Sequence, residues 1–149
     1  MAIRDATAAD TTEIAALIRE LAEYERLTDE VEFDEADLAT HLFGPEPAAH
    51  VLIGEDDATG DVAGMALYFR TFSTFVGEPG IWLEDLFVRP PHRGKGYGLA
   101  LLQRLRAMTR GRVEWAVLDW NQPAIEFYES LGAAAVRGWT RYRWMGAQP

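Results

Sequence analysis

The stretch that decides the fold is Val88-Arg89-Pro90-Pro91-His92-Arg93-Gly94-Lys95-Gly96-Tyr97-Gly98-Leu99. Its pattern is that of a strand end that passes through a glycine-rich turn into a helix. The first N–H groups of a helix lack partners within it, the helix dipole is positive at that end, and glycine lets a ligand approach the backbone. Arg93 and Lys95 add positive charge. The stretch predicts a pyrophosphate site, although a turn that only caps the helix explains a bare G-x-G-x-G equally well.

Two common phosphate-binding motifs are excluded at this turn. A Walker loop requires Gly, four residues and then Gly-Lys followed by Ser or Thr, and a dinucleotide fingerprint requires G-x-G-x-x-G early in a parallel βαβ unit. The glycines at 94, 96 and 98 follow neither spacing. A phosphate site here must therefore be of another kind.

Hydrophobic periodicity around the turn predicts one mixed α/β domain over residues 1–149. Short apolar and alternating segments predict strands at 2–6, 51–54, 62–72, 81–88, 113–118 and 139–144. Apolar residues spaced by three and four predict helices at 7–24, 34–43, 99–108 and 121–131. A hairpin turn is expected at 56–61, and Thr7 with Asp10 forms a T-x-x-D helix start.

The composition of the chain excludes some kinds of functional site and disfavours some kinds of partner. The chain has 149 residues and no cysteine, which excludes disulfides, thiolate metal sites and a cysteine nucleophile. The three histidines, at 41, 50 and 92, show no metal-ligand spacing, so no metal is expected. The formal net charge of −10 opposes binding to nucleic acid. No apolar run approaches the ~20 residues that span a bilayer, so we expect a cytoplasmic protein without membrane contact.

Acidic side chains crowd residues 20–37, where Arg26 is the one basic residue. Such a charge run is usually the solvated face of a helix and its following loop. It is also suited to gather cationic substrates such as diamines or polyamines. Both interpretations remain open on composition alone.

The turn read as R-x-x-G-x-G, over residues 93–98, resembles the acyl-CoA signature of the GNAT superfamily of N-acetyltransferases. Leu83–Val88, Asp119–Ala124 and Phe127–Ala133 fall where that superfamily places its other motifs. Residues 17–25 and Trp82-Leu83-Glu84-Asp85 resemble more narrowly the diamine acetyltransferases, meaning the spermidine/spermine and thialysine acetyltransferases. Residues 117–122 look closer to the thialysine branch. The resemblance covers the whole chain.

This resemblance implies an acyl-CoA N-acetyltransferase fold, with a mostly antiparallel sheet that splays between strands 81–88 and 113–118 and is flanked by helices. It implies acetyl-CoA as co-substrate, direct transfer to a small-molecule primary amine in a ternary complex, and a homodimer. Cofactor contacts are expected from Leu86, Phe87, Val88, Arg93, Gly94, Lys95, Gly96, Tyr97, Gly98, Leu99, Asn121, Ala124 and Tyr128. Substrate contacts are expected from Tyr24, Glu25, Glu84 and Asp119. Trp139 and Trp144 are candidates for pairing two subunits.

The two catalytic residues that the resemblance implies match the needs of the chemistry. An alkylamine with a pKa near ~10.4 is mostly protonated at neutral pH, so a carboxylate must accept its proton, and Glu84 is the candidate. A departing thiolate, with a pKa near ~8.5, is helped by a hydroxyl donor, and Tyr128 is the candidate. The alternative interpretations are a strand-end carboxylate and a tyrosine packed on the core.

Two positions depart from the spermidine-acetylating pattern. Ser73 and Arg137 stand where that pattern has acidic residues, so a long polycation loses two anchors. A smaller amine is favoured, such as an amino acid with a terminal aminoalkyl group. Acetylation of protein lysines or N-termini is a second possibility, and a non-catalytic acetyl-CoA-binding module is a third, against which Glu84 and Tyr128 count.

Overall fold

A computed structural model describes all residues, 1–149, and contains five strands and four α-helices. The strands are β1 (Ala2–Asp5), β2 (His50–Glu55), β3 (Val62–Ser73), β4 (Glu78–Val88) and β5 (Val113–Glu114). The helices are α1 (Thr11–Tyr24), α2 (Glu35–Phe43), α3 (Tyr97–Ala107) and α4 (Gln122–Ser130). The chain divides into two compact units, Met1–Ala116 and Val117–Pro149, and each is described by itself.

Local capping explains where the first two helices begin. The N–H of Thr7 donates to the Asp10 carboxylate at 2.7 Å, and a single 3₁₀ turn then leads into α1. Asp34 accepts a hydrogen bond from the Asp37 N–H at 2.8 Å and so caps α2. Such caps contribute about 0.5–2 kcal/mol each. Both helix starts are therefore set by short-range sequence signals, as predicted.

The sheet of the first unit runs in the order β1-β2-β3-β4-β5 and is antiparallel except between β4 and β5. One face carries α1 and α2 over a core of Ile14, Leu17, Leu21, Leu42, Val51, Ile53, Met65, Leu67 and Phe87. On the other face α3 packs against β2, β3 and β4 through buried side chains such as Leu101 and Leu105. The predicted mixed α/β class, with helices flanking a mostly antiparallel sheet, is confirmed.

The sheet opens between β4 and β5. These strands pair in parallel at two positions only, Ile81 with Val113 and Trp82 with Glu114. Beyond Trp82, β4 keeps β3 as its neighbour on one side and has no strand on the other. The strand predicted at 113–118 therefore ends at Glu114, because the following residues lack a ladder partner. The opening lies between the two segments where the sequence places a splay.

The second unit contains α4 and no strand. The strand predicted at 139–144 is wrong. Trp139, Tyr142 and Trp144 are 79%, 90% and 98% exposed, so these side chains lack the packing that strand propensity largely reflects. Only α4 is formed as predicted, and Gly132 follows it with a φ of +88°. None of the chain's helices is long and apolar enough to cross a membrane.

Candidate functional site

The glycine-rich turn leaves its backbone accessible. Gly94 and Gly96 have φ angles of +73° and +91°, a region that side-chain-bearing residues rarely adopt. A Cβ at Gly94 would meet no heavy atom within 4 Å, so the chain there borders free space. The helix α3 begins directly afterwards, and its first N–H groups have no partners within the helix. This arrangement fits an anionic ligand such as a pyrophosphate.

Tyr97, the first residue of α3, anchors the turn to the sheet through its side chain. Its hydroxyl donates to the backbone oxygen of Glu55 at 3.3 Å, and its buried ring lies over Gly54, where a Cβ would be 3.1 Å from a ring carbon. The His92 ring stands edge-on to it at 5.8 Å. The Tyr97 side chain is thus occupied within the protein, and its backbone alone faces a ligand at the turn.

Arg89, which sequence reasoning did not single out, ties the end of β4 to α1. Its guanidinium donates to Glu20 at 2.9 and 2.8 Å, to Glu13, and to the backbone oxygen of Val62 at 3.2 Å. These two carboxylates raise the pKa of Arg89 above its ordinary value. The start of the glycine-rich turn is therefore held in a fixed position relative to α1.

Arg93 lies between the turn and the end of α1. Its Nε donates to the backbone oxygen of Val88 at 2.8 Å. Its Cζ lies 5.2 Å from the centroid of the Tyr24 ring and 5.6 Å from that of Phe87, which are cation–π distances. Lys95 is exposed on the turn itself. Arg93 therefore contacts two aromatic rings of the protein, whereas Lys95 faces solvent.

The segment Leu86–Val88 offers a strand edge for an extended ligand. Leu86 pairs with Ala66 and Val88 with Gly64, so β3 occupies one side of the segment and no strand occupies the other. Extended chains bind such edges through main-chain hydrogen bonds. The Phe87 side chain is buried in the core beneath, so the backbone would make these bonds, although the Val88 oxygen already accepts one from Arg93.

An acidic cluster of Glu25, Glu84 and Asp85 forms where β4 bulges. Leu67 pairs with Asp85 and its neighbour Tyr68 pairs with Leu83, so Glu84 is an extra residue in β4. Asp85 shares the face of Leu67, which is the face that α1 covers.

Electrostatics within this cluster raise one pKa strongly. Burial, followed by the negative charges of Glu84 and Glu25, raises the pKa of Asp85 to about 7. Burial also raises the pKa of Glu25. Glu84 is exposed and accepts a hydrogen bond from the Trp82 indole N–H at 2.9 Å. The cluster therefore combines negative charge with a carboxyl that titrates near neutral pH.

The predicted site residues of the second unit lie on and before α4. Asn121 is buried and caps the helix by accepting from the Ala124 N–H at 3.4 Å. Tyr128 lies on α4, half-buried, with its ring 5.5 Å from that of Phe127. Asp119 is exposed just ahead of the helix.

Comparison with known proteins identifies the family. The profile described as Acetyltransferase (GNAT) family matches residues 14–133. The chain belongs to this family. The chain is therefore an N-acetyltransferase. Acetyltransferases of the GNAT family use acetyl-CoA as their co-substrate.

This N-acetyltransferase has curated relatives along almost its full length. It is 39% identical to thialysine N-epsilon-acetyltransferase of Bos taurus, with 97% of this chain and 92% of the relative covered. It is 32% identical to L-ornithine N5-acetyltransferase NATA1 of Arabidopsis thaliana, covering 97% and 84%. These relatives support the diamine acetyltransferase subgroup. An integron cassette protein from V. cholerae has a similar solved structure, with a TM-score of 0.79, 27% identity and coverage of 97% and 92%.

Within the first unit, the acetyltransferase brings together several predicted residues and one that was missed. Glu25 and Glu84, far apart in sequence, both act on Asp85. Tyr24 meets Arg93 across the end of α1. Asp85 was not predicted as a site residue, because the family resemblance pointed to Glu84. The adjacent Glu84-Asp85 pair was the available signal, since two carboxylates side by side in an otherwise apolar strand are unusual.

Proposed function

We propose that this acetyltransferase transfers the acetyl group of acetyl-CoA to a primary amine of a small diamine, polyamine or thialysine-like amino acid. The observation that carries the proposal is the acidic cluster of Glu25, Glu84 and Asp85 on β4, the strand with the open edge. A protonated amine is a cation that neighbouring carboxylates bind and then deprotonate. The formal net charge of −10 favours the capture of such a substrate.

The first unit offers surfaces that suit acetyl-CoA. Residues 94–99 would hold the pyrophosphate through backbone N–H groups, assisted by the charge of Lys95. The backbone of Leu86–Val88 would pair with the pantetheine arm. Asn121 and Ala124 remain our candidates for the far side of the cofactor. Bound in this way, acetyl-CoA would supply the acyl thioester that the amine attacks.

Proton removal is assigned to the adjacent carboxylates Glu84 and Asp85. Unassisted deprotonation of an alkylamine at neutral pH costs roughly 4 to 5 kcal/mol. The sequence predicts Glu84 as the acceptor, and Asp85, with its pKa raised to about 7, has the proton affinity best matched to that task. The variants Glu84→Gln and Asp85→Asn separate the two. If the removed residue is the proton acceptor, kcat/KM no longer falls as the pH is lowered through neutrality. If the removed residue only binds the cation, that pH dependence remains and KM rises.

Tyr128 is proposed as the proton donor to the departing thiolate, and transfer as direct. Tyr128 lies half-buried on α4, and its phenolic O–H is able to donate a proton. The chain has no cysteine to carry the acetyl group covalently. Initial rates measured over both substrates test this order. Intersecting double-reciprocal lines support a ternary complex, and parallel lines contradict it.

The amine that fits best is an amino acid with a terminal aminoalkyl group. The two relatives described above are named for thialysine and L-ornithine, which both carry one. Ser73 caps the turn between β3 and β4 by accepting from the Val76 N–H at 3.2 Å, and Arg137 is exposed. Neither supplies the carboxylate that a long polyamine would need for a second ammonium.

A thiol-release assay with acetyl-CoA and a panel of amines tests the proposal. The panel contains thialysine, ornithine, lysine, short diamines, spermidine, and a peptide with a free N-terminus and a lysine. The highest kcat/KM is expected with thialysine or ornithine. A preference for the peptide would indicate a protein acetyltransferase, and CoA binding without release under any amine would indicate a binding module. Either result contradicts the proposal.

We also propose that residues 1–149 act as one domain that forms a homodimer in the cytoplasm. Trp139 and Trp144 are exposed in the same short segment as Tyr142, and apolar side chains exposed together mark interaction surfaces, which supports a second copy as their cover. Light scattering during gel filtration tests the dimer, with Trp139→Ala and Trp144→Ala combined as the variant expected to dissociate. A monomeric parent would contradict this part of the proposal.

A further inference from the structure

One side chain connects the glycine-rich turn to the amine side of the site. The Arg93 Nε–H donates to the Val88 oxygen at 2.8 Å, which directs the guanidinium away from the turn. Its Cζ lies 5.2 Å from the ring centroid of Tyr24, the last residue of α1, and 5.6 Å from that of Phe87. Glu25, a member of the acidic cluster, follows Tyr24 directly. Arg93 thus touches the helix end that carries an amine-binding carboxylate.

The end of α1 is a segment whose order is open to influence. Tyr24 is 40% exposed, so its ring is only partly held by the core. Arg26, one residue beyond Glu25, has a φ of +59°, which has an intrinsic conformational cost for a residue other than glycine. A cation–π contact at a partly exposed site changes such a local equilibrium about two- to fivefold. The backbone there is closed by bonds from the Arg26 N–H to Glu23 and from the Leu27 N–H to Ala22, and the contacts of Arg93 are large enough to shift how often these bonds open.

We propose that Arg93 is a positioning residue that couples cofactor binding at the turn to order at the end of α1, and through Glu25 to the amine site. This inference rests on the proposed function. A ligand that fixes the backbone of residues 93–96 also fixes the base of the Arg93 side chain, which the Val88 bond already restrains. The guanidinium then holds the Tyr24 ring, and Glu25 stays beside Asp85. Because coupling is reciprocal, an amine bound at the cluster strengthens cofactor binding by the same factor.

Amide hydrogen exchange, followed by mass spectrometry with and without CoA, tests the coupling without an amine. In the parent protein, CoA should slow exchange at residues 92–99, which bind it, and also at residues 20–27 by about fivefold. Arg93→Gln, measured at CoA concentrations that saturate it, should keep the first effect and lose the second. Lys95→Gln, also measured at CoA concentrations that saturate it, is the matched control, because it removes one positive charge from the same turn but no ring contact. Arg93→Lys keeps a cation and should restore part of the effect.

The outcomes are distinguishable. Protection of 92–99 without protection of 20–27 in the parent would overturn the coupling while leaving the cofactor site in place. Retained protection of 20–27 in Arg93→Gln, or its loss in Lys95→Gln, would also overturn it. If CoA protects neither segment, the proposed cofactor site itself fails, and the coupling fails with it. Loss in Arg93→Gln alone, with partial recovery in Arg93→Lys, supports a positioning role rather than general destabilisation.

Discussion

Asp85→Asn should make the protein more stable at mildly alkaline pH than the parent. In the folded chain the Asp85 carboxyl has a pKa of about 7, against the ordinary value of 3.8 in the unfolded chain. Between these two values the folded state holds a proton that the unfolded state has released. The free energy of unfolding therefore falls as pH rises through this window, and the loss is complete above the folded pKa.

The size of the effect follows from the difference between the two pKa values. Each pH unit within the window changes stability by about 1.4 kcal/mol, so the full cost of ionising Asp85 in place is roughly 4 kcal/mol. Asparagine has no proton to lose and stays neutral. The free energy of unfolding of Asp85→Asn, relative to that of the parent, should therefore grow by roughly 3 kcal/mol between about pH 5 and about pH 8. Part of the absolute gain is offset because a half-buried amide needs hydrogen-bond partners.

Urea unfolding at a series of pH values, followed by tryptophan fluorescence, measures this advantage. Glu46→Gln is the control, because it removes an exposed carboxylate from another part of the surface, so a pH dependence shared by both variants does not belong to Asp85. The more stable Asp85→Asn enzyme should also be slower, by about a hundredfold if Asp85 accepts the proton. A stability difference between Asp85→Asn and the parent that does not change with pH would refute the electrostatic reasoning about the acidic cluster.

Three further predictions concern the cofactor, the leaving group and the substrate. Gly96→Glu should abolish CoA binding in calorimetric titration, because a carboxylate replaces space for phosphate; Gly77→Glu, at a similar φ of +73° in the β3–β4 turn at the far end of both strands, controls for backbone strain and should bind normally. Tyr128→Phe should lower kcat by about 10²-fold with little change in KM, and turnover within about threefold of the parent would exclude a role as acid. Ser73→Asp combined with Arg137→Glu should raise the specificity ratio of spermidine to a short diamine, and an unchanged ratio would mean that these positions do not face the substrate.

Elements with local signals could be predicted from the sequence, whereas features set by strand pairing could not. The helix α2 begins after Asp34 and ends before Gly44, since a side-chain cap and a glycine-proline stop act within a few residues. The bulge at Glu84 depends on how β4 aligns with β3, which no pattern within β4 reveals. The effect of Glu25 on Asp85 also depends on how α1 packs on the sheet, which the residues around Asp85 do not encode.

The aromatic segment at 139–144 is a case in which the sequence pattern predicts an element that the chain does not form. Alternating tryptophan, tyrosine and arginine residues match the pattern of a half-buried strand. A strand also needs a neighbour to complete its hydrogen bonds, and the sequence of the segment carries no information about that neighbour. Propensity therefore predicted an element that the chain does not form.

The open edge of β4 affects how readily the protein aggregates in the cell. A strand without a neighbour is a template on which strands of other molecules can add, and this is a route to aggregation. A cofactor arm lying along Leu86–Val88 would block that route, and a ligand present at a hundred times its Kd would stabilise the fold by about 2.7 kcal/mol. Newly made enzyme would thus persist best in cells with ample CoA. Cofactor starvation would lower the abundance of the enzyme as well as its rate.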